Sequence, residues 1–338
     1  KKTNPNIIQS SAASPKASQE AEAVAKRLIE KTGIDEGYVL WFGLNDRELL
    51  KAMLASTSLH IVGVDTDSHN VELVRKQFDI SADYGKRITA HQGTPESFMA
   101  PPYIADLVVV APEIARQSLD AGNFGLIFES IRPYGGKLSI PANSSDSNSL
   151  AERISQLQLP KAAIQSDPEG VTVTREGALP GAAEWSHAYG DIANTVKSDD
   201  SRVKLPLGLL WFGGNSNLDV LPRHGHGPSE QVVGGRLFIE GINSIHARDV
   251  YTGRILWKRE FEDLGNYQVY YDETYADIPL STEYNQVHLP GANMRGTNYV
   301  ATAEGVYLAI GDHCILLDAA SGQTLRKFVI PPSPEGAE

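Results

Sequence analysis

Tyr38-Val39-Leu40-Trp41-Phe42-Gly43 and His60-Ile61-Val62-Gly63-Val64-Asp65 are the two stretches on which the fold turns. Each is a short, continuous apolar run that stops at a glycine or an acid, the pattern of a strand covered on both faces. Between them, Asp46 to Ala55 places Leu49, Leu50, Met53 and Leu54 at helical spacing. Beyond them, Asp67 or Ser68 can cap a helix whose stripe is Val71, Val74 and Phe78. Outward in both directions the alternation continues. Gln19 to Lys31 predicts a helix ending at Gly33, and Ile88–His91, Leu107–Ala111 and Lys137–Ile140 predict three more strands. A further helix carries Ile127, Phe128 and Ile131. Strands alternating with helices imply right-handed crossovers and a parallel, doubly wound sheet.

The 338 residues, 41% hydrophobic, hold enough apolar material for about two folded cores, which excludes a mainly disordered chain. Lys and Arg number 30 and Asp and Glu 42, a formal charge of −12 that opposes non-specific binding to nucleic acid or anionic membranes. Apolar runs such as Tyr38–Leu44 fall far below the roughly 18 residues a membrane helix needs. Cys314 is the only cysteine, so no intrachain disulfide and no cysteine-rich zinc site is expected. Lys1 is followed by polar residues and not by the apolar core of a signal peptide. The absent initiator Met leads us to expect a processed or cut-out piece.

The chain divides in the sequence as a linker over 1–18, an α/β Rossmann-like domain over 19–160 and an all-β part over 171–332. The cluster Asn143–Ser149 precedes a helix expected to run to Leu159. The all-β part contains an internal repeat. Gly235–Ile239, Ile245–Asp249 and Thr252–Trp257 recur as Gly305–Ala309, Ile315–Asp318 and Ser321–Leu325. Asp-x-x-[Thr/Ser]-Gly is hairpin chemistry: the carboxylate accepts turn amides and the glycine takes positive φ. Trp185, Trp211 and Trp257 read as packing anchors. Asp272–His288 reads as a long loop of the kind that carries binding function. His224 and His226, two apart, are candidate metal ligands with His187 or Asp191 as a third; the competing reading is a glycine-flanked loop whose histidines bond backbone carbonyls.

Gly43 after the first strand and Asp65 at the end of the second have the spacing of a nucleotide site, a turn of free amides followed by an acid for ribose hydroxyls. That spacing serves NAD, FAD and S-adenosylmethionine (SAM) alike. The longer pattern resembles class I SAM-dependent methyltransferases over about Tyr38 to Pro141. "VLWFGLND" stands at their glycine-rich first motif, "VGVDTDSHNVELVRKQ" at the stretch with the ribose acid, "ITAHQGTPESF" at the adenine-side loop, "ADLVVV" at the fourth strand and "IRPYGGKLSIP" before the fifth. The resemblance implies a SAM site at Gly43, Asn45, Asp65, Thr94 and Asp106, with Asp106 lining the transfer position. Three positions depart from the family pattern: Trp41 replaces an acid, Asn45 a glycine and Thr94 an aspartate. A bulkier loop is expected to crowd the methionine part of SAM.

The repeat resembles the blades of pyrroloquinoline-quinone (PQQ)-type β-propellers, which close with "D-x-x-T-G-x-x-x-W". Asp249–Trp257 matches throughout, while Asp318 onward has Arg326 at the tryptophan position. "REGALPGAAEWSHAYGDIANT", "LPLGLLWFGG", "LPRHGHGPSEQVVGGRLFIEG" and "ARDVYTGRILW" resemble large bacterial PQQ-binding-like propeller proteins that carry a methyltransferase-like domain. The expected architecture is therefore a Rossmann-like domain followed by a partial β-propeller, whose ring is completed by further blades or a partner chain. The expected function is a scaffold with an emptied SAM pocket, periplasmic or extracellular, with a cytoplasmic location as the alternative. Its rivals are an active SAM-dependent methyltransferase whose propeller presents substrate, and part of a quinoprotein oxidoreductase. This segment alone supplies no PQQ site.

Overall fold

A computed structural model describes residues 16–214, 219–221, 228–264 and 297–331. It divides into two compact units, 1–177 and 178–338. In the first, the elements run α1 (Gln19–Thr32), β1 (Glu36–Phe42), α2 (Arg47–Ser56), β2 (Ser58–Asp65), α3 (Ser68–Ile80), β3 (Ile88–Gln92), α4 (Pro95–Phe98) and β4 (Leu107–Val110). There follow α5 (Pro112–Asp120), α6 (Phe124–Glu129), β5 (Gly136–Pro141), α7 (Ser144–Gln156), β6 (Ala162–Asp167) and β7 (Gly170–Arg175). Local chemistry sets the boundaries. Ser18 Oγ accepts from Ala21 N to start α1, and Gly33 at φ 67° stops it; Asp46 and Asp67 cap α2 and α3.

The strands form one sheet in the order β3-β2-β1-β4-β5-β7-β6. Five are parallel, and β7 runs antiparallel to both β5 and β6. Alternate residues of β1 feed two cores: Val39 and Trp41 join α1, α2 and α3 on one face, Leu40 and Phe42 join α5, α6 and α7 on the other. Covering both faces makes the strands continuously apolar. This is a doubly wound Rossmann-like sheet, as the alternation of elements implied.

Two boundaries differ from the expectation. The sheet does not end at 160 but takes in 162–175, so Val171 belongs to the α/β unit and not to the all-β part. Val171, Thr172 and Val173 are all buried because β7 lies inside the sheet between β5 and β6; the Val-Thr-Val-Thr alternation of its sequence is that of any antiparallel strand and does not say which sheet it joins. The polar cluster after Asn143 is itself helical: Asn143 Oδ1 accepts from Asp146 N and caps α7.

In the second unit each copy of the repeat is one four-stranded antiparallel meander. The first is β8 (Gln231–Val233), β9 (Arg236–Gly241), β10 (Ser244–Asp249) and β11 (Ile255–Glu260). The second is β12 (Tyr299–Ala301), β13 (Val306–Ile310), β14 (His313–Leu317) and β15 (Thr324–Val329). Phe238, Ala247 and Trp257 of the first share a core with Tyr299, Leu308 and Leu317 of the second. Among the described residues no ring closes. The turn chemistry is as expected: Asp249 Oδ1 accepts from Tyr251 N at 2.7 Å and Asp318 Oδ1 from Ser321 N at 2.7 Å. Trp257 lies flat on Gly322, where a Cβ would overlap the indole, and Trp211 lies in the same way on Gly253.

Candidate functional site at the carboxyl edge of the sheet

In an open α/β sheet, ligands bind outside the carboxyl ends of the strands where the strand order reverses. Here that point lies between β1 and β4, flanked by β2 and β3. After Phe42 the chain makes a loop of only four residues, 43–46, before α2. Gly43, at φ 98°, donates its N–H to Val64 O at 2.9 Å and so holds the loop against β2.

Asp65, 6% exposed, is the centre of the site. Its Oδ2 accepts from Leu44 N at 2.7 Å and from Asn70 Nδ2 at 3.2 Å, and its Oδ1 accepts from Asp67 N at 2.8 Å. A carboxylate has about four acceptor positions. Three are therefore taken by protein donors, and Oδ1 keeps one acceptor position beyond them. Asn70 Nδ2 also donates to Asn45 Oδ1 at 2.7 Å, tying the loop to α3 above the acid.

Of the expected crowding by the loop, the structure shows the Asn45–Asn70 bond beside the acid, and not Trp41 or Leu44. Leu44 is fully buried and turns down over Gly63, where a Cβ would sit 2.6 Å from Leu44 Cδ2. Asn45 is exposed, and Trp41 is a core residue. Gly43 is also covered from the start of α5. A Cβ at Gly43 would lie 2.6 Å from Ala111 Cβ and 3.4 Å from Ile114 Cδ1.

Thr94 stands past the end of β3 and caps the short helix α4: its Oγ1 accepts from Ser97 N at 3.0 Å. With Phe42, Val64, Thr66, Glu96 and Ile114 it borders a cleft of about 130 Å³. Asn123 Nδ2 donates to Glu96 Oε2 at 3.3 Å on its rim. The cleft is smaller than the roughly 300 Å³ at which small-molecule sites begin.

Of the residues singled out in the sequence, Gly43, Asn45, Asp65 and Thr94 meet at this edge. Asp106 does not. It precedes β4, at the opposite end of the sheet, where its Oδ2 accepts from Tyr38 N at 2.9 Å and its Oδ1 lies 3.9 Å from Arg132 Nε. Starting a strand and ending one look alike in sequence, but they lie at opposite edges of a parallel sheet. Sequence reading missed Asn70, Ala111 and Ile114. The signal for the last two was present: Pro112 directly after a buried strand starts a helix over the strand ends.

His224, His226 and the stretch 272–288 lie outside the described residues. Asp191, offered as a third metal ligand, accepts from Ala193 N, Thr195 N and Thr195 Oγ1. Among the described residues, no group of three or more His, Cys, Asp or Glu side chains is placed to hold a metal ion, and no helix is long and apolar enough to cross a membrane.

No protein-family model matches the chain, and no curated protein matches it. Solved structures similar to it include a candidate S-adenosyl-L-methionine-dependent methyltransferase from Methanococcus maripaludis, at 18% identity over 46% of this chain and 84% of that one, with a TM-score of 0.38. A SAM-dependent methyltransferase from Aquifex aeolicus matches at 10% identity over 44% and 87%, with a TM-score of 0.37. A protein from Corynebacterium glutamicum matches at 13% identity over 48% and 92%, with a TM-score of 0.34.

Proposed function

We propose that the α/β unit is a SAM-dependent methyltransferase-type domain that takes SAM across the carboxyl ends of β1, β2 and β3. The observation that carries this reading is Asp65, held by Leu44 N at the strand end with one acceptor position uncommitted. When bound, SAM supplies an electrophilic methyl group on a sulfonium sulfur. The protein's part is placement. Asp65 Oδ1 receives a ribose hydroxyl, Gly43 by its positive φ turns the chain from β1 into the loop, and Thr94 positions the adenine-side loop. Methyl transfer needs chiefly that donor and acceptor be held in line, so no dedicated base is required. Admitting the nucleotide requires the Asn45–Asn70 and Glu96–Asn123 hydrogen bonds to open, each worth about 1 kcal/mol or less.

The two meanders are read as consecutive PQQ-type propeller blades. The support is the repeated Asp turn with a tryptophan laid on its glycine.

A second reading, a retained framework without cofactor, is favoured by the contact of Gly43 with Ala111 and by the small cleft. Calorimetric titration with SAM and S-adenosylhomocysteine separates the two. Micromolar binding that is lost in Asp65→Ala is the expected result. Absence of heat with folded protein would leave the second reading standing.

A further inference from the structure

In the α/β unit, Val109 of β4, Ser139 of β5 and Thr172 of β7 stand in one row across the sheet, each paired with the next. Directly paired residues point to the same face, and Val109 belongs to the core beneath α1, so the whole row faces that way. Leu138 and Ile140, on either side of Ser139, fill the opposite core. A hydroxyl thus stands where the sheet would otherwise place another apolar side chain. Ser139 is 5% exposed, and among the described residues its hydroxyl has no hydrogen-bond partner. The hydroxyl of Thr172 beside it is sealed from solvent and has none either.

Ser139 borders a cavity of about 160 Å³ between α1 and the carboxyl ends of β4 and β5. The walls are Val24 and Leu28, one turn apart on α1, with Leu49 of α2 and Val109. Arg27 and Glu169 lie at the rim, 3.4 Å apart and each more than half exposed, an ion pair that opens at little cost. The volume is close to the ~150 Å³ at which an apolar cavity takes up one benzene ring. Apolar walls around a single placed polar group are the composition of a small-molecule site. The cavity lies on the other face of the sheet from the cleft beside Asp65, whose walls Phe42, Val64 and Ile114 pack into the α5 core.

We propose that this cavity binds a molecule the size of one ring, apolar except for a single hydroxyl that hydrogen-bonds to Ser139 Oγ. The volume sets the size, the walls set the apolar body, and the unpartnered serine, which can donate and accept, sets the one polar atom. An anion finds no uncommitted charge at the rim, because Arg27 is paired with Glu169 and Lys31 with Asp167. The site is separate from the proposed nucleotide site and holds whether or not the α/β unit takes SAM.

Methyl-detected NMR on the full chain tests it, with phenol and toluene as probes. Phenol shifts the methyl signals of Val24, Leu28, Leu49 and Val109 along a common saturation curve. In Ser139→Ala the ratio of phenol to toluene affinity falls by at least about fivefold, the worth of one hydrogen bond, while the thermal midpoint holds because no bond within the fold is lost. Val24→Phe fills the cavity from the half-exposed side of α1 and removes the saturable shifts for both probes. Signals that stay still, or drift without saturating, show a groove that holds water alone and overturn the proposal. An affinity ratio unchanged in Ser139→Ala overturns it too, as does saturable binding that survives Val24→Phe.

Discussion

Asp65 has two tasks, and they can be measured apart. It holds Leu44 N and Asp67 N inside the protein, so Asp65→Ala leaves buried donors unsatisfied and costs about 1–3 kcal/mol in thermal or urea unfolding, besides removing nucleotide affinity. Asp106 is the control. Asp106→Ala frees Tyr38 N and the Arg132 side at the far end of the sheet, so it lowers stability by a similar amount and leaves nucleotide affinity unchanged. A loss of affinity in Asp106→Ala by calorimetry would show that the site had been placed at the wrong edge. In the second unit His246 is fully buried, with Arg248 Nε 3.3 Å from its Nε2 and Lys258 paired beside it in the ladder. Burial, then the Arg248 charge, pushes its pKa down to about 4, against the opposing pull of Asp219. The folded form thus resists protonation more than the unfolded form does. Stability is full above about pH 6.5 and falls as pH drops towards about 4, by on the order of 3 kcal/mol across that window. His246→Gln should flatten that acid limb in a series of melts, and an unchanged limb would assign it to other groups.

At the scale of elements, the repeated turn makes the sharpest prediction. Gly322 has φ 69°, and a Cβ there would enter the Trp257 indole, so Gly322→Ala combines a backbone penalty with a lost ring contact. We expect at least about 1 kcal/mol of destabilisation and a red shift in tryptophan emission, because Trp257 becomes wetter. Most helices and strands were legible in the sequence because their caps and periods are local: Asp67 caps α3 and Val71, Val74 and Phe78 are its buried face. What was not legible was association between distant pieces. Val171–Thr174 alternates like any antiparallel strand, and only the completed sheet shows that it lies between β5 and β6. The site was legible in the same measure. Gly43, Asp65 and Thr94 follow strand ends that sequence locates, whereas the covering of Gly43 by Ala111 and Ile114 depends on how α5 packs. Asp106 was misplaced because an acid next to a strand carries no sign of which end it marks.

For the whole molecule, the formal charge of −12 bears on partners more than on fold. It predicts that the chain fails to retard duplex DNA in a gel even at low salt; salt-sensitive retardation would contradict that. Each unit has its own hydrophobic core, the first divided between the two faces of its sheet and the second held between two meanders. The proposed nucleotide site is built on the strand ends of the first unit, around Asp65. Hydrogen exchange in the presence of S-adenosylhomocysteine reads this directly. Slowed exchange confined to the amides of 44–47, 66–70 and 93–97 is the result expected of a ligand seated on Asp65, and unchanged exchange at those three loops under saturating ligand is the result that contradicts it.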